Sequence, residues 1–233
     1  MPRRYARKAW NTYKKGMALQ NKIMNPKNMM VALRGAKLAS AVLNSEKHYF
    51  DKYIANLTLN TAGSVTPLSA VVQGDDKQNR SGRSILAKSI QMKLALYQGD
   101  DTYDRQLVRF IVFYDTEQNG VLPAVSAATD VDNGVLESLH ILSPLNLQAS
   151  SRYRVLYDRT HAIGDITGGV GQPSIEMQQF YKKIKFHIHY SNTTAADADL
   201  DKNNIYILQI ADQSGSSAFS TANIYTRLRF YDN

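Results

Sequence analysis

The sequence predicts an all-β chain: an eight-stranded single jelly-roll sandwich with a basic N-terminal arm that contains a short helix. Three observations predict it. Residues 84–96 and 106–114 alternate apolar and polar side chains with a period of two, which a helix cannot hold on one face. Eight strand-like segments follow one another with long, irregular connections, which suits a Greek-key jelly roll better than a tight up-and-down barrel. Finally, the charge is split: residues 1–45 hold ten Lys and Arg and no acid, leaving 18 basic and 20 acidic residues for the remainder.

The strand candidates are 46–51, 54–59, 84–96, 106–114, 153–158, 180–190, 204–211 and 223–231. In the third, Leu86, Ile90, Met92, Leu94 and Leu96 point one way and Ala87, Ser89, Gln91, Lys93 and Ala95 the other, with Lys88 a misfit on the apolar face. In the fourth, Val108, Phe110, Val112 and Tyr114 alternate with Leu107, Arg109, Ile111 and Phe113. Residues 68–72 read as a short helical turn. Within the excursion 115–151, residues 135–142 read as a helix stopped by Pro144. Residues 46–233 form the expected sandwich domain, long enough to bury a core without disulfides. The chain has no cysteine, so neither disulfides nor thiolate metal sites are expected. No apolar run approaches the roughly 20 residues of a membrane span, and no apolar segment follows the basic start, so neither a membrane partner nor a secretory signal is expected.

The arm is where the charge points to a partner. Arg3, Arg4, Arg7, Lys8, Trp10, Lys14, Lys15 and Lys22 mix cations with an indole, and Tyr5 and Tyr13 add two rings. Cations neutralise phosphates and rings stack on unpaired bases, so single-stranded DNA or RNA is the expected partner. A solvated tail is the plain alternative; PRRYARK is also compatible with an import signal and passage through a host nucleus. Asn25 and Pro26 signal a helix start. From about 27 to 43, Met29, Met30, Leu33, Ala36 and Leu43 share a face, with Lys27, Arg34 and Lys37 off it. Those three cations join the predicted nucleic-acid-binding set, and Arg80, Arg83, Lys183 and Lys185 are candidates for further contacts.

Short motifs carry a resemblance. EKHYFDKYI (46–54) precedes Gln73-Gly74; RSGRSI (80–85) leads into a long strand; a later strand ends in Tyr114-Asp115, before Asn119-Gly120. This order resembles the coat proteins of circular, Rep-encoding single-stranded DNA viruses, and is similar to the coat protein of satellite tobacco necrosis virus. The resemblance implies a jelly-roll subunit that assembles into a small icosahedral shell, a virion of T=1 size with about sixty copies, around a single-stranded genome. It also implies an arm, residues 1 to about 44, that faces inward. Nothing in it names a host-cell receptor.

Catalytic and metal chemistry is expected to be absent. His187 and His189 share one strand face, and Tyr49 with Lys52 imitates the Tyr-x-x-Lys nucleophile of the replication-initiator endonucleases of the same viruses. The tyrosine precedes the histidines, lies in a strand pattern, and no phosphate-binding loop follows. Tyr181, Lys183, Lys185, His187 and His189 read more simply as a basic sheet face opposite Phe180, Ile184, Phe186, Ile188 and Tyr190. Asp197, Asp199, Asp201 and Asn203 begin like a calcium loop, but Lys202 and Leu208 stand where it needs Gly and Glu. Gly168, Gly169 and Gly171 match no phosphate cradle. No cofactor is expected. The expected function is therefore structural, shell assembly and electrostatic condensation of nucleic acid, with a non-assembling nucleic-acid-binding β-domain as the alternative. The fourteen tyrosines and the apolar residues on both faces of 205–210 suggest surfaces shared between subunits.

Overall fold

Ten strands and one short 3-10 helix, Asp197–Asp199, make up the sandwich's regular structure in the computed structural model, which describes residues 14, 46–97, 106–117, 120–164, 175–213 and 220–232. The strands are β1 (Glu46–Thr58), β2 (Ser64–Pro67), β3 (Ser84–Tyr97), β4 (Gln106–Asp115), β5 (Ala124–Ser126), β6 (Gly134–Leu136), β7 (Tyr153–Ile163), β8 (Ile175–His189), β9 (Asn204–Ala211) and β10 (Thr221–Asp232). The chain divides into two units, Met1–Ser45 and Glu46–Asn233. In the first only Lys14 is described, and it is exposed. The expected helix at 27–43, and Arg3, Arg4, Arg7, Lys8, Trp10, Lys15, Lys22, Lys27, Arg34 and Lys37, lie outside the described residues, as do Gly168, Gly169 and Gly171.

The second unit is an all-β sandwich of two four-stranded antiparallel sheets, ordered β1-β10-β3-β8 and β2-β9-β4-β7, with no α-helix among its described residues. Counted along the chain without β5 and β6, the orders are 1-8-3-6 and 2-7-4-5, similar to the two Greek keys of a viral jelly roll. The core lies between the sheets. Ile90, Met92, Leu94, Leu96, Ile224, Leu228 and Phe230 come from one side, and Val108, Phe110, Val112, Ile205 and Ile207 from the other. Tyr114 of β4 stacks on Phe186 of β8 at 4.4 Å, joining the sheets at one end. Near β7, buried His161 meets the Tyr157 hydroxyl and the Glu176 carboxylate, each at 3.0 Å.

Several expected elements differ, each for a local reason. The segments 46–51 and 54–59 are one strand: a register shift between Ile54 and Leu57, with Asn56 at φ 50°, absorbs the irregularity without ending the pairing with β10. The eighth sandwich strand is instead β2, whose four residues SVTP are too short and polar to announce a strand. Residues 68–72 form no helical turn, because their backbone is bonded elsewhere: Leu68 N–H donates to Ile205, and the Val71 carbonyl accepts from Arg80. Nor do residues 135–142 form a helix. Val135 and Leu136 belong to β6, parallel to β5, and the carbonyls of Ile141 and Ser143 accept from Arg109.

In β3, Lys88 is a bulge residue. Between Ser89 and Ala87 the pairing with β10 advances two residues on β3 for one on β10. The extra residue reverses the phase, so Ile85 and Ala87 are buried together with Ile90 and Met92 while Leu86 is only half-buried. The Lys88 ammonium lies 4.7 Å from the centre of the Tyr231 ring. The misfit in the sequence is therefore the place where the strand changes face.

The apolar residues on both faces of 205–210 are buried within the chain, since all eight residues of β9 are inaccessible. The excursion between β4 and β7 covers the outer side of the second sheet. Phe113 packs against Tyr153 and Tyr206, and the Tyr153 hydroxyl donates to the Asn133 carbonyl. Asp115 and Arg152 form a buried two-bond ion pair at 2.6 and 2.8 Å. Gly134 is required here: a Cβ at this position would stand 2.1 Å from the Ala127 nitrogen. One sheet thus carries a second layer, and the outer side of the other sheet remains for function.

Candidate nucleic-acid interface

Strand alternation places one set of side chains from β1, β10, β3 and β8 on the outer side of the first sheet. From β1 come Lys47, Tyr49, Asp51 and Tyr53, paired in register with Tyr231, Arg229, Arg227 and Tyr225 of β10. The neighbouring residues on β3 are Lys88, Ser89, Gln91 and Lys93, and β8 adds Tyr181, Lys183 and Lys185 beside His187 and His189. Seven Lys and Arg side chains therefore share a face with one carboxylate, Asp51, and with five tyrosines. A face so composed attracts a polyanion and offers rings on which bases can stack.

Two of the candidates for further contacts belong to it: Lys183 and Lys185 are exposed on β8. Arg83 is exposed in the turn before β3. Arg80 is a correction to the sequence-based set. It is 0% exposed, its guanidinium donates to the carbonyls of Val71 at 2.9 Å, Gly82 and Asn192, and it lies 4.1 Å from the centre of the Tyr190 ring. Its charge is consumed in holding the loop before β3 to the end of β8, so it presents nothing to a ligand.

Sequence reading left Lys47, Lys88, Lys93, Arg227 and Arg229 out of the candidate set. The signal was present as alternation in KHYFDKY and in YTRLRFY, but only strand pairing puts the two segments side by side. Between them lies a groove of about 300 Å³ lined by Lys47, Tyr49, Lys88, Arg227, Arg229 and Tyr231. Asp51 accepts two hydrogen bonds of 2.6 Å from Arg227, whose guanidinium holds the Asp51 carboxyl below the usual carboxylate range. The Arg229 guanidinium reaches Gln91 Oε1 at 3.3 Å.

At the other end of the same face the character changes. Tyr53, Met177 and Ile175 are 61%, 78% and 58% exposed, beside Tyr225, Tyr97 and Lys93. His187 and His189 have ring centres 6.2 Å apart on the basic part, with Lys185 and Lys183 further along the strand. Replacing both histidines with Gln is expected to change stability by less than about 0.5 kcal/mol and to leave nucleic-acid content unchanged at neutral pH. Thermal unfolding and the 260/280 nm absorbance ratio check this; loss of a metal-dependent DNA-nicking activity in the double variant would instead support the endonuclease reading.

The family model described as satellite tobacco necrosis virus coat protein matches residues 27–232. The coat protein of Maize white line mosaic satellite virus is 28% identical over 168 residues, covering 68% of this chain and 72% of that protein. Among solved structures, that of Desmodium yellow mottle tymovirus is similar with a TM-score of 0.34 and 8% identity, over 81% of this chain and 88% of the other. The structure of Maize chlorotic mottle virus is similar with a TM-score of 0.35 and 10% identity, over 80% and 93%.

Proposed function

The chain belongs to the satellite tobacco necrosis virus coat protein family, and from that premise we propose that it is a T=1 shell subunit that condenses single-stranded nucleic acid through its basic arm. Of the two resemblances carried by its motifs, the satellite virus coat protein is the one that the family model and the curated relative match. As a coat protein it resides in a virion and acts in many copies.

The observation that carries the reading is the charge split. Ten cations and no acid precede Glu46, while the rest of the chain is net about −2. The net charge of the second unit does not favour a polyanion, but its outer sheet face, seven cations to one acid, does so locally. Arm and face together supply positioning by charge and stacking on tyrosines; no step in this function requires a reaction to be catalysed. Coulombic condensation is sequence-independent, so either DNA or RNA satisfies it.

The test is the particle itself. Full-length protein at physiological salt is expected to sediment as closed shells of about sixty copies, visible by negative-stain microscopy. Extracted cargo should be degraded by either ribonuclease or a single-strand deoxyribonuclease, which identifies it. A dispersed monomer at high protein concentration would overturn the shell reading in favour of a non-assembling nucleic-acid-binding domain.

A further inference from the structure

We propose that the groove between β1, β10 and β3 is a nucleotide subsite: Lys47, Lys88 and Arg229 take one phosphate of a single strand, and Tyr49 and Tyr231 flank the attached base. The inference rests on the packaging reading and adds to it a defined site, with a built-in competitor.

Four cations converge on this groove. Asp51 holds Arg227 through two bonds, and among the described residues this is the ion pair that the face contains. Lys47, Lys88 and Arg229 are left to meet an anion from solution. The site is built by the fold, because Lys88 enters it only through the bulge that turns it from the core phase to the outer side. Both rings already carry a cation over one side, Arg227 at 5.0 Å from the Tyr49 centre and Lys88 at 4.7 Å from the Tyr231 centre. Such rings hold a fixed orientation, and phosphate arriving at the cations brings its base beside them. The volume of about 300 Å³ is at the small end of ligand pockets, suited to one nucleotide and too small for a duplex.

Asp51 then acts as an internal anion. Its carboxylate occupies on Arg227 the bidentate position that a phosphate would take. It removes one of the four cations from the groove and keeps the hold on the strand weak enough for the strand to be moved while a shell closes around it.

The experiment is photocrosslinking of the full-length chain to a 5′-phosphorylated single-stranded hexanucleotide carrying 4-thiothymidine, with peptides mapped by mass spectrometry. Crosslinks are expected on peptides containing Tyr49 or Tyr231, as well as on the arm. Lys88→Glu with Arg229→Glu should lower the groove crosslinks about tenfold and spare those on the arm. Lys88→Gln, which alters one half-buried side chain at the surface, should lower them about threefold and serves if the double variant fails to fold. Asp51→Asn should raise groove crosslinking about threefold by freeing Arg227. Crosslinks confined to arm peptides would overturn the subsite and leave the packaging reading intact, whereas no crosslink anywhere would overturn both. Groove crosslinks that do not change in Asp51→Asn would overturn the competitor role of Asp51.

Discussion

Deleting residues 2–25 is expected to give a protein that still folds and assembles but carries far less nucleic acid. The deletion removes seven of the ten arm cations, Arg3, Arg4, Arg7, Lys8, Lys14, Lys15 and Lys22, together with Trp10, Tyr5 and Tyr13. In a shell of the proposed sixty copies, full arms would bring on the order of 600 positive charges, enough to neutralise a similar number of phosphates. The truncated arms bring about 180, so arm-borne capacity falls to roughly a third. Every strand of the sandwich begins at or after Glu46, so the far-ultraviolet β signal should not change. The measurement is the 260/280 nm absorbance ratio of gradient-purified particles across a salt series. An unchanged ratio, with full-length cargo still protected from nuclease, would move the binding to the sheet face bearing Lys183, Lys185, Arg227 and Arg229.

The second large effect belongs to Arg80. Truncating it to Ala leaves three carbonyls without their charged donor, that of Val71 buried and those of Gly82 and Asn192 partly buried, and empties the space against Tyr190. A loss of about 3–5 kcal/mol follows from the unsatisfied acceptors and the cavity. For a domain of this size that corresponds to a fall in melting temperature on the order of 10 °C, accompanied by a low soluble yield. Arg83→Ala, three residues on and exposed, should shift stability by less than about 0.5 kcal/mol. Calorimetry on the two variants separates them. If Arg80→Ala melted like the parent and lost nucleic acid, Arg80 would return to the binding set.

These two arginines show what a sequence can convey. In RSGRSI both read as cations beside a Gly turn, and nothing local distinguishes the one that points inward. The difference arises from Asn192 and Tyr190, more than a hundred residues away. Long strands were legible because their period is intrinsic to the chain: β3, β4, β8 and β10 lie where alternation put them, and β9 where an apolar run did. The short strand β2 was not, since SVTP gains its place from pairing with β9. The apolar pattern of 205–210 was legible, but not what covers it; a strand buried on both sides looks the same whether the cover is another subunit or a later loop. Likewise, half of the basic face was visible as His187 and His189 with their lysines, while the groove needed the register of β1 against β10.

The layer over the second sheet has one more consequence. With residues 120–152 laid across one side and cations with tyrosines across the other, the domain is a tile with a front and a back. A plain two-sheet sandwich could be turned over in a lattice at little cost. Here inversion would set Leu139, Leu142 and Leu147, exposed on the covering layer, where the charged side belongs. If the charged side is the one turned to the cargo, the direction of curvature of a closed surface made from such tiles would follow from each tile alone.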